Sequence, residues 1–128
     1  MFGWDNSKDS YEQAYNDDGQ PKNESSLSHE VLAGGASFAA MKAFEDRQRS
    51  EGKPIEHQFA KELIAGFAGA EIDKLAETKG EDEWDKQKAK HDAKKNAEAM
   101  YDEQYGQYDQ YDPNSQQPHE NMQKYGNW

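Results

Sequence analysis

Histidines and acidic residues are the side chains of this sequence that could bind a metal ion or transfer a proton. The chain has four histidines, 26 acidic residues and no cysteine. His29 directly precedes Glu30, and His91 directly precedes Asp92. Adjacent residues point to different faces of a helix, so neither pair has the spacing of two metal ligands. The pattern predicts solvated or capping histidines, with no metal and no cofactor.

Sequence motifs for covalent catalysis or phosphate binding are also missing. Without cysteine there is no disulfide, thiolate nucleophile or zinc–thiolate site. The glycine pair at 34–35 lies inside a helical pattern and lacks the lysine of a phosphate-binding loop. Adjacent acids such as Glu45 and Asp46 indicate a solvated helix face. We therefore expect no enzymatic activity, with an enzyme or metal protein using His29 and His57 as the second alternative.

The strongest signal in the sequence is a repeated block of small residues. HEVLAGGASFAAMKAFED at 29–46 aligns with KELIAGFAGAEIDKLAET at 61–78, at an offset of 32 residues. Gly34 then falls on Gly66. A glycine inside a helix costs up to about 1 kcal/mol relative to alanine. Close approach of helix backbones is the gain that we expect to compensate for it.

Three helices follow from the periodicity and the terminal signals. The first is predicted at 28–50, with Ser28 as N-cap and Gly52 in the left-handed position after its end. The second is predicted at 54–79, with a proline in its first turn. The third is predicted at 81–105, beginning with three acids that favour a helix N-terminus. No segment alternates apolar and polar residues as a strand would.

The segments on either side of these helices are polar and of low complexity. We predict a disordered N-terminal segment at 1–27, with one weak helical turn near 10–15, a helical domain at 28–106 and a Tyr/Gln/Asp-rich tail at 107–128. The predicted fold class is all-α: an antiparallel helical hairpin plus a third helix, with disordered N- and C-terminal tails.

The charge distribution restricts the possible partners. The net charge is −11, and no section of the chain is basic. Nucleic-acid binding is therefore disfavoured, as is binding to anionic membranes. The longest uncharged stretch near the core, 31–41, has 11 residues, whereas a membrane span needs about 20. We expect a cytoplasmic protein, and these features disfavour a membrane partner.

The first helix is apolar nearly all round, which is typical of a helix buried on several sides. The second helix has two apolar stripes, and the third offers mainly alanine. We therefore predict a homo-oligomer in which a second copy covers the first helix; a monomeric three-helix hairpin is the alternative. The residues predicted for helix packing or self-association are Leu32, Gly34, Gly35, Ala36, Phe38, Ala39, Phe44, Leu63, Gly66 and Gly69.

Three segments of the sequence resemble a known family. SHEVLAGGASFAAMKAFEDRQR at 28–49, FAKELIAGFAGAEIDKLAETKG at 59–80 and AEAMYDEQYG at 97–106 are similar to the fungal CipC-like (concanamycin-induced protein C-like) antibiotic-response proteins, as is the opening MFGW. The resemblance implies a small acidic protein connected with stress or antibiotic exposure. It implies no activity, cofactor or site residue.

The leading functional hypothesis is a non-enzymatic, self-associating helical protein linked to stress or antibiotic response, acting through contacts with itself or an unknown protein partner. The first alternative is a peripheral lipid- or membrane-associated helical protein, because the glycine/alanine helices also carry phenylalanines that could enter a bilayer.

Overall fold

The computed structural model describes residues 3–22, 27–79 and 85–126 of the 128-residue chain. These residues form helices and connecting segments, with two isolated β-bridges and no strand ladder. The all-α prediction is confirmed, but the described part of the chain has four α-helices where three were predicted. They are α1 (Gly3–Ala14), α2 (His29–Glu51), α3 (His57–Lys79) and α4 (Lys86–Tyr105), followed by a short 3₁₀ helix at Gln123–Tyr125.

Local signals set the ends of α2 as predicted. The Ser28 hydroxyl accepts a hydrogen bond from the backbone N–H of Val31 at 3.2 Å. Gly52 follows the helix with φ = 68°, a left-handed conformation that glycine adopts without a side-chain clash. Both boundaries are thus encoded within a few residues of sequence.

The start of α3 differs from the prediction, because the proline turn before it is not helical. Ile55 forms a bridge with Tyr111 in the C-terminal segment: its N–H donates to the Tyr111 carbonyl at 2.9 Å and its carbonyl accepts at 3.0 Å. This long-range pairing keeps the chain non-helical until His57.

At the start of α4, Asp85 caps the helix by accepting from the N–H of Lys88 at 3.0 Å. The predicted start of that helix at residues 81–83 lies outside the described residues.

The N-terminal segment is not a disordered tail, and this corrects the prediction. Trp4, Ser7, Tyr11 and Ala14 recur at heptad-like spacing and are all buried. The Trp4 indole N–H donates to the backbone carbonyl of Met100 at 3.0 Å. A polar helix with one buried stripe is thereby held against the rest of the molecule.

The C-terminal segment also packs on the helices instead of extending away from them. Tyr111 and Met122 are fully buried, and the His119 ring stacks on Trp4 with ring centroids 4.2 Å apart and planes 4° from parallel. The tyrosines that made this segment look like low-complexity sequence supply part of the core. The prediction of a disordered C-terminal tail is therefore corrected as well.

Helix α2 lies at the centre of the molecule, with α1, α3 and α4 all packed against it. Its close contact with α1 passes through Gly35, where a Cβ atom would lie 3.2 Å from the carbonyl oxygen of Ser10 and 3.4 Å from Cβ of Ala14. On the side of α4, the Ser37 hydroxyl donates 3.0 Å to the carbonyl of Ala93. The apolar circumference of α2 is therefore covered within one chain, so it does not need the second copy that the sequence pattern predicted for it.

Candidate interaction surface

One side of α3 faces the core. Ile64, Ala68, Ile72 and Leu75 recur every three or four residues and are at most 1% exposed. The same helix is joined to α4 by ion pairs at both ends: Lys61 lies 2.7 Å from Asp102, and the end of α3 is paired with the start of α4 in the same way. This inner side fixes the orientation of α3 and determines which residues point outward.

The opposite side of α3 carries an apolar stripe that the described elements leave largely exposed. Its members are Phe59, Leu63, Gly66 and Ala70, which we call the outer stripe. Phe59 is 49% exposed, one of only two large hydrophobic side chains in the described residues with such exposure. Leu63 is half-buried, and Gly66 and Ala70 are exposed. The spacing of four, three and four residues is that of a helix–helix seam.

Gly66 is open to solvent in this chain. Apart from its helix neighbours, no described atom lies within 4 Å of a Cβ atom placed there. The repeat predicts a tight internal contact at Gly66 that a leucine would force apart; the structure shows this expectation to be wrong for the single chain. Gly69, one turn away, is buried instead, and a Cβ atom at that position would lie 3.4 Å from Cε of Lys94.

The predicted packing residues therefore divide between two environments. Those on α2 are all buried between helices of the same chain; they are Leu32, Gly34, Gly35, Ala36, Phe38, Ala39 and Phe44. On α3, Gly69 is internal, whereas Leu63 and Gly66 belong to the outer stripe. Phe59 and Ala70, which complete the stripe, were not among the predicted site residues, although their spacing with Leu63 and Gly66 was a usable signal.

Charged side chains border the outer stripe. Glu56 and Glu62 are exposed near its start. Near its end, Lys74 pairs with Glu71 at 3.3 Å. Asp73 lies 3.0 Å from both Lys86 and Lys90, and hydrogen bonds from these lysines lower the pKa of its carboxyl. The stripe is thus apolar in its middle and charged at both ends, as interfaces commonly are.

A second notable feature is a buried carboxylate on α2. Glu45 was predicted to be solvated, but it is fully buried. It accepts hydrogen bonds from Arg49 Nε at 2.9 Å, from the Tyr111 hydroxyl at 2.7 Å and from the Tyr105 hydroxyl. Arg49 also donates to the carbonyls of Pro113 and Gln116. The correction has a clear cause, since the ion-pair partner lies one helical turn away and the C-terminal segment closes over both.

The hydrogen-bonded cluster around Glu45 stabilises the fold and is poorly suited to proton transfer. Burial, followed by the negative charge of Glu45, raises the pKa values of Tyr105 and Tyr111 well above the usual value for tyrosine. Both hydroxyls therefore stay protonated at neutral pH and act as hydrogen-bond donors to Glu45. The cluster joins α2, α4 and the C-terminal segment through charge-assisted hydrogen bonds.

The histidines that were considered as metal ligands lie in separate environments. His29 Nε2 lies 2.9 Å from an Asp92 oxygen, and this hydrogen bond lowers the pKa of Asp92. The ring of His57 contacts the Tyr101 hydroxyl at 2.6 Å and the Tyr108 carbonyl at 2.5 Å. Among residues 3–22, 27–79 and 85–126 there is no group of three or more histidine or carboxylate side chains that could hold a metal ion.

A polar cleft of about 480 Å³ opens beside the His29–Asp92 pair, where α1, α2 and α4 converge. Asn96 borders it and is 1% exposed; its amide nitrogen donates to Ser7 at 2.9 Å. Two lysines and two further polar residues complete the wall, which is lined by Asn6, His29, Glu30, Lys88, Asp92, Lys95 and Asn96. None of the described helices is long and apolar enough to pass through a bilayer.

Residues 10–104, about three quarters of the chain, match a protein family described as "Virulence factor CipC-like". The matched region runs from within α1 to the last turn of α4 and includes all of α2 and α3. No curated protein and no solved structure gave a significant match to the chain.

Proposed function

The chain belongs to the virulence factor CipC-like family, and we propose that it is a non-enzymatic helical protein that acts through protein contacts, including contacts with its own copies, in a stress or antibiotic response. The link to antibiotic exposure comes from the family resemblance. The mode of action comes from the surface of α3.

The outer stripe is the observation that carries this proposal. Phe59 leaves about half of its side chain in water, while Leu63 and Phe67 beside it are only partly covered. A contiguous apolar patch on an otherwise acidic protein commonly marks a site of association. The two exposed small residues, Gly66 and Ala70, leave room on the surface of α3 for the side chains of another helix.

Sedimentation equilibrium tests the proposed association. We expect the wild-type chain to sediment above 14.6 kDa at micromolar concentration. Phe59→Glu should shift it to the monomer, because the carboxylate would have to be desolvated in an apolar contact. Tyr108→Glu is the matched control: Tyr108 is 42% exposed but lies outside the stripe, so this variant should sediment like the wild type.

Two results would contradict the proposal. One is a wild-type mass of 14.6 kDa across the whole concentration range. The other is co-sedimentation of the wild type with neutral phospholipid vesicles that Phe59→Glu abolishes, since the stripe would then bind lipid.

In cells that lack the chain, wild type should restore tolerance to antibiotic exposure and Phe59→Glu should not.

A further inference from the structure

We propose that the outer stripe of α3 pairs with the same stripe of a second copy in antiparallel orientation, with Phe59 against Ala70 and Leu63 against Gly66 of the other copy. This inference rests on the proposed function, because it concerns the same surface, and it adds the partner and the register.

The internal repeat shows what kind of element covers such a stripe. At the offset of 32 residues, the outer stripe corresponds to Leu27, Val31, Gly34 and Phe38 before and within α2. In α2 part of that side is covered by a helix: Tyr11 of α1 packs on Phe38 with ring centroids 5.0 Å apart, and α1 also approaches Gly35, next to Gly34, closely. The corresponding side of α3 has no helix among the described elements. A helix is therefore the occupant that fits it.

The order of side-chain sizes favours an antiparallel partner. The first two members of the stripe, Phe59 and Leu63, are large, and the last two, Gly66 and Ala70, are small. Antiparallel pairing about the middle of the stripe places each large residue against a small one, which fills space at the contact. Parallel pairing would place Phe59 against its own copy and leave a gap where two Gly66 residues meet.

The charges point to the same orientation. A parallel pair would keep Glu56 and Lys74 of the second copy roughly 27 Å apart along the helix axis, at about 1.5 Å per residue, so these opposite charges could not meet. The antiparallel register places Glu62 beside the uncharged Gly69 of the second copy. It also brings Glu56 within reach of Lys74 of the second copy. Asp73 of the second copy is level with Glu56 in this register, but the charge of Asp73 is already paired with two lysines of its own chain.

Single-cysteine cross-linking can read the register directly, because the native chain has no cysteine. In the proposed register two copies of residue 59 lie roughly 16 Å apart along the helix axis, at about 1.5 Å per residue. A disulfide needs Cα atoms within about 7 Å. Under mild oxidation, Phe59→Cys alone and Ala70→Cys alone should therefore stay uncross-linked, whereas an equimolar mixture of the two should form a covalent heterodimer.

A spin label at Glu77→Cys gives a second measurement that leaves the stripe intact, because Glu77 is an exposed residue beyond it. The proposed register separates the two labels by roughly 37 Å along the axis, whereas a parallel pair would bring them within roughly 15 Å. Short label distances, or cross-linking of each single-cysteine variant with itself, would overturn the antiparallel register while leaving self-association standing. An oligomer in which neither the mixture nor either single-cysteine variant cross-links would place the contact on another surface. A wild-type chain that remains a monomer would instead remove the proposed function itself.

Discussion

Helices α2 and α3 carry the same repeated block and yet have different environments. Leu32 and its counterpart Ile64 are both fully buried, so the inner side of the repeat is used in the same way twice. Gly34 is buried, whereas its counterpart Gly66 is exposed. The contrast is greatest at the end of the block, where Glu45 is enclosed by tyrosines and an arginine while Glu77 faces solvent.

The difference comes from the two segments that flank the repeat. Helix α1 covers one side of α2, and the C-terminal segment covers the end of α2 around Glu45. Helix α3 has no such cover among the described residues on its outer side. Periodicity therefore determines which sides of a helix are apolar, but elements elsewhere in the chain, or another molecule, determine whether each side is covered.

The largest difference between the two helices should appear at the repeated glutamate. Replacing Glu45 by glutamine leaves Arg49 buried without its ion-pair partner, and breaking a buried pair in this way costs about 3–5 kcal/mol. Glu77→Gln, at the equivalent position of α3, should change the free energy of unfolding by less than about 0.5 kcal/mol. Urea denaturation of both variants measures the comparison, and similar values for the two would show that Glu45 is not enclosed.

The next largest difference concerns the glycines. A leucine at Gly35 would collide with the backbone of Ser10 and with Ala14, and we expect it to lower the free energy of unfolding by about 1–3 kcal/mol or more. Gly66→Leu meets open space and, within a monomer, should be nearly neutral. Thermal melts at a concentration where the chain is monomeric provide the test, and a larger loss for Gly66→Leu would reverse the assignment of the two helix faces.

The smallest expected effect is a pH dependence of stability that comes from His119, whose ring stacks on Trp4 of α1. Burial lowers the pKa of His119, although the nearby acids Asp5, Glu103 and Glu120 partly oppose this. Because the unfolded chain then binds the proton more readily than the folded chain, stability should fall as the pH drops below about 6.5 towards the lower folded-state pKa. We expect a loss below about 1 kcal/mol, which His119→Gln should remove. An unchanged pH profile in that variant would assign the dependence to another group.

Local signals made part of this structure predictable from the sequence. The serine before α2 and the glycine after it act within one helical turn, so both ends of that helix were predicted correctly. Only a weak helical turn was predicted in place of α1. The reason is that its buried stripe includes Ser7 and Ala14, which hydrophobicity does not distinguish from residues of a solvated face. Its signal was the spacing of these residues with Trp4 and Tyr11, which becomes meaningful once α2 provides a surface to pack on.

The candidate surface was predictable only as a pattern. The sequence shows two apolar stripes on the second helix, one with Ile64 and Ile72 and the other with Phe59 and Leu63. No local feature of the sequence determines which of the two stripes faces the core, because that depends on where α4 packs. The burial of Glu45 was likewise not predictable from local sequence. Arg49, four residues away, indicates an ion pair, but the tyrosines that donate hydrogen bonds to Glu45 come from α4 and the segment after it, about 60 residues away.

Helix α1 and the C-terminal segment meet in the folded molecule. Asn121 donates to Asp5 at 2.7 Å, and Lys124 lies 3.2 Å from Glu12, contacts that span 116 and 112 residues of sequence. During synthesis, α1 and α2 leave the ribosome long before the residues that cover Glu45 and stack on Trp4 exist. A nascent or prematurely terminated chain therefore exposes an apolar helix and an uncovered ion pair, the kind of surface on which chaperones and proteases act. Burial of the core is therefore complete only once Tyr111, His119 and Met122 have been synthesised.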